Sequence, residues 1–149
     1  LDVEMRFIEF MPLDSSRAWD PSRLAPADEI IARIGRAWPL RPVGRSDESA
    51  TAMRYEFADA APGSIGMIAP VTRPFCGACS RLRITADGHV RPCLFSVVEH
   101  DIRPLLRGGA TDTEVEDFLI DATWSKQAGH GIRAPGFVQP ERSMSAIGG

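Results

Sequence analysis

The chain has 149 residues, enough for one domain with a hydrophobic core or for one domain and part of a second. Its net charge of −3, with 44% hydrophobic and 25% charged residues, is ordinary for a globular protein and argues against a nucleic-acid or membrane-surface partner. No apolar run is long enough to span a membrane, and three cysteines cannot form a complete disulfide framework. We therefore expect a protein of the reducing cytoplasm.

The periodic segments predict a mixed α+β fold. Alternating apolar residues predict strands at 3–10, 52–57 and 64–69; apolar stripes predict helices from Pro26 to about Trp38 and from Asp112 to about Gln127; and 99–107 could hold a short helix. Residues 40–50 read as a polar connector, and we expect Trp38 and Trp124 to be packed inside. Arg6 and Glu9, charged residues in an apolar first strand, suggest either burial beside a cavity, as at the mouth of a barrel, or an edge strand with one wet face. Because the chain starts at Leu1 in mid-strand, we expect a fragment of a longer protein.

The three cysteines lie in one stretch, as Cys76-x-x-Cys79 and then Cys93. Between them, residues 80–85 alternate polar and apolar, Asp87-Gly88 supplies a turn, and residues 89–91 start a returning strand. Asp-Gly favours a two-residue type I′ turn, in which both residues take positive φ. That turn would place Leu82 opposite Cys93 and bring the three thiols together at the open end of the hairpin.

Three converging cysteines leave several kinds of site open. A redox-active C-x-x-C pair usually opens a helix in a βαβ unit, whereas this pair precedes a hairpin. A zinc site needs a fourth ligand, which His89, His100 or His130 could supply, although none stands at a standard spacing from Cys93. We favour an iron–sulfur cluster with three cysteine ligands, because four cysteines saturate such a cluster and three leave one iron open.

Two arginines follow the C-x-x-C pair at alternate positions. Arg81 and Arg83 would share one face of a strand, with Leu82 and Ile84 on the other. Guanidinium groups can grip phosphate or carboxylate in a bidentate manner. A solvated strand face is the simpler interpretation, but the adjacent cysteines favour an anion-binding role.

The cysteine–arginine segment resembles a motif of a known family. The segment Phe75-Cys76-x-x-Cys79-x-Arg81-Leu82-Arg83-Ile84-Thr85-Ala86-Asp87-Gly88, followed by Arg91-x-Cys93-Leu94-Phe95, closely resembles the C-terminal cluster motif of the molybdenum cofactor biosynthesis protein A family. Its members are radical-SAM GTP 3′,8-cyclases. Three further matches agree: residues 6–11, Lys126 with His130, and Met144 with Ile147-Gly148-Gly149. The resemblance spans essentially the whole chain.

The resemblance implies a set of functional residues. Cys76, Cys79 and Cys93 would hold a 4Fe-4S cluster whose open iron anchors GTP; Arg6, Arg81, Leu82 and Arg83 would contact GTP; Met11 would lie against S-adenosylmethionine; and Gly148 and Gly149 would reach into the active site and be needed for chemistry. A second 4Fe-4S cluster, which cleaves S-adenosylmethionine to a radical in the full-length enzyme, is held by a C-x-x-x-C-x-x-C motif that this chain lacks. The fragment alone is therefore expected to be inactive. A further departure, Ser80 where the family often has Asn, should have little effect.

The resemblance also implies an architecture. Residues 1–40 would be the last strand–helix unit of an incomplete (β/α) radical-SAM barrel, 41–127 a cluster-binding antiparallel sheet with helices, and 128–149 an extended tail ending in Gly-Gly. We expect GTP and the N-terminal barrel portion as partners, with a homodimer through the unpaired first strand. Two alternatives remain: a zinc-stabilised structural or interaction module, and an auxiliary-cluster domain of another radical-SAM enzyme.

Overall fold

The computed structural model describes residues 2–13 and 16–147 and has a mixed α+β fold. Its main elements are β1 Glu4–Ile8, α1 Ala27–Ala37, β2 Leu40–Gly44, β3 Met53–Phe57, β4 Ser64–Ile68, β5 Arg83–Ile84, β6 His89–Arg91, β7 His100–Asp101, α2 Arg103–Arg107 and α3 Asp112–Trp124. Short 3-10 helices occupy Pro21–Arg23, Cys76–Ala78 and Met144–Ile147. None of the described helices combines the length and apolar character needed to cross a bilayer.

The chain forms two compact units, which we describe separately. The first comprises the described residues among 1–11 and 19–79, and the second those among 12–18 and 80–149. The first unit contains a four-stranded sheet of order β1-β4-β3-β2, and the second a three-stranded sheet of order β5-β6-β7. All pairings are antiparallel except that of β1 with β4, which is parallel. The predicted α+β class with antiparallel sheets is therefore confirmed.

The core of the first unit forms where α1 packs on the sheet. Tyr55, Ile65 and Met67 are buried together with Ala27 and Ala69, and the predicted helix stripe of Ile30, Ile31 and Ile34 packs against them. Trp38, expected to close this stripe, is 62% exposed, so that prediction was wrong. It follows the last helical residue with an extended backbone, which takes it out of the helix stripe.

Two strand predictions in the first unit need correction. Strand β1 covers Glu4–Ile8 rather than 3–10, and residues 40–44 of the expected connector form β2 on the edge of the sheet. Pro42 is compatible with an edge position, where the missing N–H is tolerated, and the register shifts between Pro42 and Gly44. The strand was missed because its period-two signal is interrupted by proline and glycine.

The core of the second unit gathers under α3. Val90, Ile102 and Ala122 are buried, and Leu82 and Phe118 are among the side chains packed against them. The helix begins at Asp112 as predicted. It opens with a capping box, in which the Thr111 hydroxyl accepts from the Glu114 N–H and the Glu114 carboxylate accepts from the Thr111 N–H. Trp124 was expected to pack inside but is 83% exposed, because it lies in the last turn, where α3 ends.

The predicted hairpin is present, but its register differs by one residue. Arg83 pairs with Arg91, and three residues rather than two connect Thr85 to His89. The Thr85 carbonyl accepts from the Gly88 N–H at 2.9 Å, and only Gly88 of the turn takes positive φ, at 79°. This is a type I turn followed by a left-handed glycine, rather than type I′. The ladder therefore does not pair Leu82 with Cys93.

Candidate functional site

The C-x-x-C pair lies on a single tight turn of the first unit. Residues 76–78 form one 3-10 turn, and the Cys79 N–H donates to the Cys76 carbonyl at 3.2 Å. Both cysteines are half-buried, and neither forms a disulfide. The preceding Phe75 ring lies under the Arg45 guanidinium, 5.5 Å from ring centroid to Cζ, which anchors the entry to the turn. The local fold therefore places the two thiols at the two ends of one turn.

The third thiol belongs to the second unit. Cys93 follows β6 and starts a turn in which its carbonyl accepts from the Ser96 N–H at 3.1 Å. It is also half-buried and outside any disulfide. Among residues 2–13 and 16–147, no group of three His, Cys, Asp or Glu side chains is assembled to hold a metal ion. The donor set nevertheless suits a cluster, because three reduced and partly accessible thiols are the ligands that iron–sulfur clusters use.

The three histidines considered as zinc ligands each have local contacts. His100 Nε2 lies 2.9 Å from the Ser125 hydroxyl. His130 packs edge-on against Phe95 with ring centroids 5.0 Å apart, and its Nδ1 accepts from a backbone N–H at 3.2 Å. His89 is wedged between the side chains of Asp87 and Arg103. Each imidazole ring is therefore held by contacts to residues of the second unit.

The segment 81–83 alternates between the core and the surface of the second unit. Leu82 packs on the Val90 core, whereas Arg81 is exposed and its carbonyl lies 3.4 Å from Lys126 Nζ. Arg83 is half-buried in β5, and its Nη1 donates to the Ile147 carbonyl at 3.3 Å. Leu82 thus fixes the backbone from which both guanidinium groups project. Ile84, expected on the face of Leu82, is 58% exposed.

The remaining predicted site residues are Arg6 and Met11 of the first unit and the two C-terminal glycines. The Arg6 side chain is 58% exposed and forms an ion pair with Glu4, so it fits the expected edge strand with a wet face and not the expected cavity. The β-strand geometry explains this, because Arg6 pairs with Gly66, which offers no side chain to cover it. Met11 is half-buried after β1. Gly148 and Gly149 lie outside the described residues.

An ion-pair network that the sequence did not reveal joins the hairpin to the tail. Arg142 donates to Asp87 through both terminal nitrogens, at 3.1 and 2.7 Å, and to Glu99 at 3.0 Å. Glu99 also pairs with Arg91, which is 2% exposed. The bonds from Arg142 and Thr85 hold the pKa of Asp87 below its usual range. Burial raises the pKa of Glu99, but the two arginines outweigh it and the net shift is downward.

Glu9 is the other buried charge, in the first unit. It is 2% exposed, and its carboxylate accepts from the backbone N–H groups of Ala27, Val71 and Thr72 at 2.9–3.0 Å. The Thr72 hydroxyl donates to the same carboxylate. Because the N-cap residue Pro26 gives α1 no side-chain cap, Glu9 takes that role from a distant strand. Its burial was one of the two expectations for this strand, and its carboxylate connects β1, α1 and the loop after β4.

Comparisons with known proteins agree with the motif. Residues 3–132 match the family model described as Molybdenum Cofactor Synthesis C. The chain is 49% identical to the GTP 3′,8-cyclase of Mycolicibacterium smegmatis, 48% to that of Rhodococcus opacus and 44% to that of Streptomyces coelicolor. These alignments cover 98–99% of the chain but 41–43% of each relative, so the chain spans less than half their length. On these matches, the chain belongs to the Molybdenum Cofactor Synthesis C family.

Proposed function

We propose that this chain is the GTP-anchoring part of a radical-SAM GTP 3′,8-cyclase of molybdenum cofactor biosynthesis, which converts GTP to 3′,8-cyclo-7,8-dihydro-GTP. Residues 1–40 would be the last strand–helix unit of its barrel, 41–127 the cluster-binding region and 128–149 the tail. The single observation that carries the proposal is the motif of residues 75–95, with three cysteines outside disulfides and two alternating arginines, in a chain 44–49% identical to such cyclases.

Three thiols of this chain would hold the cluster. Cys76, Cys79 and Cys93 are the proposed ligands, and their reduced, half-buried state is compatible with ligation. A 4Fe-4S cluster bound by three cysteines supplies one iron with an open position for a substrate atom. S-adenosylmethionine and a second 4Fe-4S cluster belong to the complete enzyme, with Met11 as the proposed contact to S-adenosylmethionine.

The arginines would orient the substrate. Arg81 and Arg83 flank the core-packed Leu82, so their backbone needs little further ordering when GTP binds. Their guanidinium groups would bind the triphosphate through charge-assisted hydrogen bonds. Arg6, exposed on β1, would add a further contact. Gly148 and Gly149 are proposed to complete the reacting geometry.

The first unit suggests where the rest of the protein packs. Strand β1 lies on the edge of its sheet, and Val3, Met5 and Ile8 are 57–58% exposed. An exposed edge with apolar side chains favours association with another strand. We propose the N-terminal barrel portion of the same protein as its partner, in a homodimeric cytoplasmic enzyme.

The test is anaerobic reconstitution of the complete protein that carries this chain. We expect Cys93→Ser to lose about half of the bound iron, since one of two 4Fe-4S clusters is removed. Arg81→Ala and Arg83→Ala should each weaken GTP binding about 10- to 100-fold, because a hydrogen bond to a charged group contributes about 1.5–3 kcal/mol. Arg107→Ala is the matched control, an exposed arginine of α2.

Each alternative has its own outcome. Tight colourless zinc without iron uptake would assign the chain to a zinc-stabilised module. A cluster that depends on Cys93, combined with GTP affinity that is unchanged in both arginine variants, would instead indicate an auxiliary-cluster domain with another substrate. Loss of both iron and GTP binding in the named variants, but not in Arg107→Ala, supports the cyclase.

A further inference from the structure

We propose that Arg142 is a positioning residue that fixes the C-terminal tail on the cluster hairpin, so that the Ile147 carbonyl meets Arg83. This inference rests on the proposed function, since it takes Arg83 as a triphosphate ligand and the residues after Ile147 as part of the reacting site. It assigns to Arg142, Asp87 and Glu99 a role that the sequence motif does not contain.

The first step is the way in which Arg142 is held. Its Nη1 and Nη2 meet the two oxygens of Asp87, and its Nε lies 2.7 Å from Glu99 Oε1. All three guanidinium nitrogens therefore contact carboxylates, in a fork geometry that lysine cannot reproduce. Asp87 is the tip of the hairpin turn, and its carboxylate is further oriented by the Thr85 hydroxyl at 2.5 Å. One side chain of the tail is thus bound to two separate segments.

The second step connects this contact to the interior of the second unit. Glu99 also accepts from Arg91, whose guanidinium is 2% exposed and also donates to the Ser96 carbonyl. Arg91 in turn is the direct cross-strand partner of Arg83. The network that holds Arg142 is therefore built on the strand that sets the position of Arg83.

The third step follows the tail beyond Arg142. The Met144 N–H donates to the Leu13 carbonyl at 3.0 Å, and a 3-10 turn over Met144–Ile147 brings Ile147 to 0% exposure. The Ile147 carbonyl then accepts from Arg83 Nη1 at 3.3 Å. Gly148 and Gly149 come directly after this contact in the sequence. Four residues therefore separate Arg142, which holds the tail, from Ile147, whose carbonyl is presented to Arg83.

In this arrangement one arginine holds the tail and a different one is assigned to the nucleotide. Arg142 is saturated by carboxylates of the protein, so it is poorly suited to receive a phosphate. Arg83 Nη1 contacts the Ile147 carbonyl, and its guanidinium is the group proposed to bind the triphosphate. Release of Arg142 should leave the hairpin and its cysteines folded, while residues 143–147 of the tail lose their position.

The experiment compares Arg142→Gln with Arg133→Gln, an exposed arginine of the same tail, in the reconstituted complete enzyme. We expect Arg142→Gln to lower kcat about 10- to 100-fold, because moving a group of the active site by about 1 Å can have an effect of this size. The KM for GTP should change less than about threefold. Amide exchange should accelerate at Met144 and Ala146 but stay slow at Thr85 and Gly88 of the hairpin. Arg133→Gln should match wild type in all three.

Asp87→Asn is a second test. It replaces one of the two Asp87 oxygens that accept from Arg142 and leaves the sequence of the tail unchanged. It should reproduce the faster exchange at Met144, and the double variant should be little worse than Arg142→Gln alone. Unchanged kcat and unchanged tail exchange in Arg142→Gln would overturn the positioning role while the GTP assignment stands. Conversely, faster tail exchange in Arg142→Gln with GTP binding unaffected by Arg83→Ala would overturn the proposed function and keep the tail contact.

Discussion

Replacement of Glu9 by glutamine tests whether this carboxylate holds the first unit together. Each carboxylate oxygen accepts two bonds: Oε1 from the Ala27 N–H and the Thr72 hydroxyl, and Oε2 from the Val71 and Thr72 N–H groups. Glutamine keeps one oxygen but puts an NH₂ donor in place of the other. The least costly arrangement places the NH₂ at the Oε1 position, because the Thr72 hydroxyl can rotate to accept a hydrogen bond.

The magnitude follows from what remains unsatisfied. The Ala27 N–H, at the first turn of α1, loses its acceptor in a buried position, which costs about 1–3 kcal/mol. The two bonds that remain on the oxygen become neutral and lose roughly half of their strength. We therefore expect Glu9→Gln to lower the free energy of unfolding by roughly 2–4 kcal/mol. Glu29→Gln is the matched control, because Glu29 is an exposed residue of α1 paired with Arg33 and should cost less than about 1 kcal/mol.

Equilibrium urea unfolding followed by tryptophan fluorescence measures this difference. The Trp19 indole N–H donates to the carbonyl of Phe10, the residue after Glu9, at 2.9 Å, so its emission reports on the same region. Trp38 and Trp124 are already largely exposed and should change little. Equal midpoints for Glu9→Gln and Glu29→Gln would refute the assignment of Glu9 as the residue that caps α1.

Two further predictions concern the hairpin unit. The Arg103 guanidinium lowers the pKa of Asp101 from 3.8 to about 2, so Asp101 stabilises the fold at neutral pH and this contribution disappears as the pH falls through 2. Asp101→Asn should therefore be less stable than wild type at pH 7 and equal to it below pH 2 in thermal unfolding; a constant difference at all pH values would contradict this. Gly88→Ala should destabilise by about 1–3 kcal/mol, because φ is 79° and the new Cβ would lie 2.5 Å from Arg103 Cγ. Gly109→Ala, with φ of 76° and open space around it, should cost less, and an equal loss would show that only backbone strain matters.

The sequence predicted the elements whose apolar periodicity is long enough to be distinctive. Helices α1 and α3 and strands β3 and β4 were expected within a few residues of their observed bounds. Strands β2 and β7 were missed, because one contains proline and glycine and the other has two residues. Their positions depend on neighbouring strands rather than on their own pattern, which is information that a local reading does not contain.

The hairpin shows why a correct motif can still give a wrong register. Asp87-Gly88 fits a two-residue turn, but it fits equally a three-residue turn with glycine in the left-handed position. The outcome depends on Thr85, whose hydroxyl accepts from the His89 N–H at 2.9 Å and closes the longer turn. Because side chains alternate along a strand, this single residue decides which partner faces Arg83.

The observed register places two arginines, Arg83 and Arg91, side by side on neighbouring strands. Like charges directly opposite each other are destabilising unless one is compensated. Arg91 is compensated inside the unit by Glu99, whose second partner is Arg142 of the tail. Arg83 donates to the neutral carbonyl of Ile147. The carboxylate of Glu99 therefore does two things at once: it makes the buried Arg91 tolerable, and it holds Arg142, which precedes the residue whose carbonyl contacts Arg83.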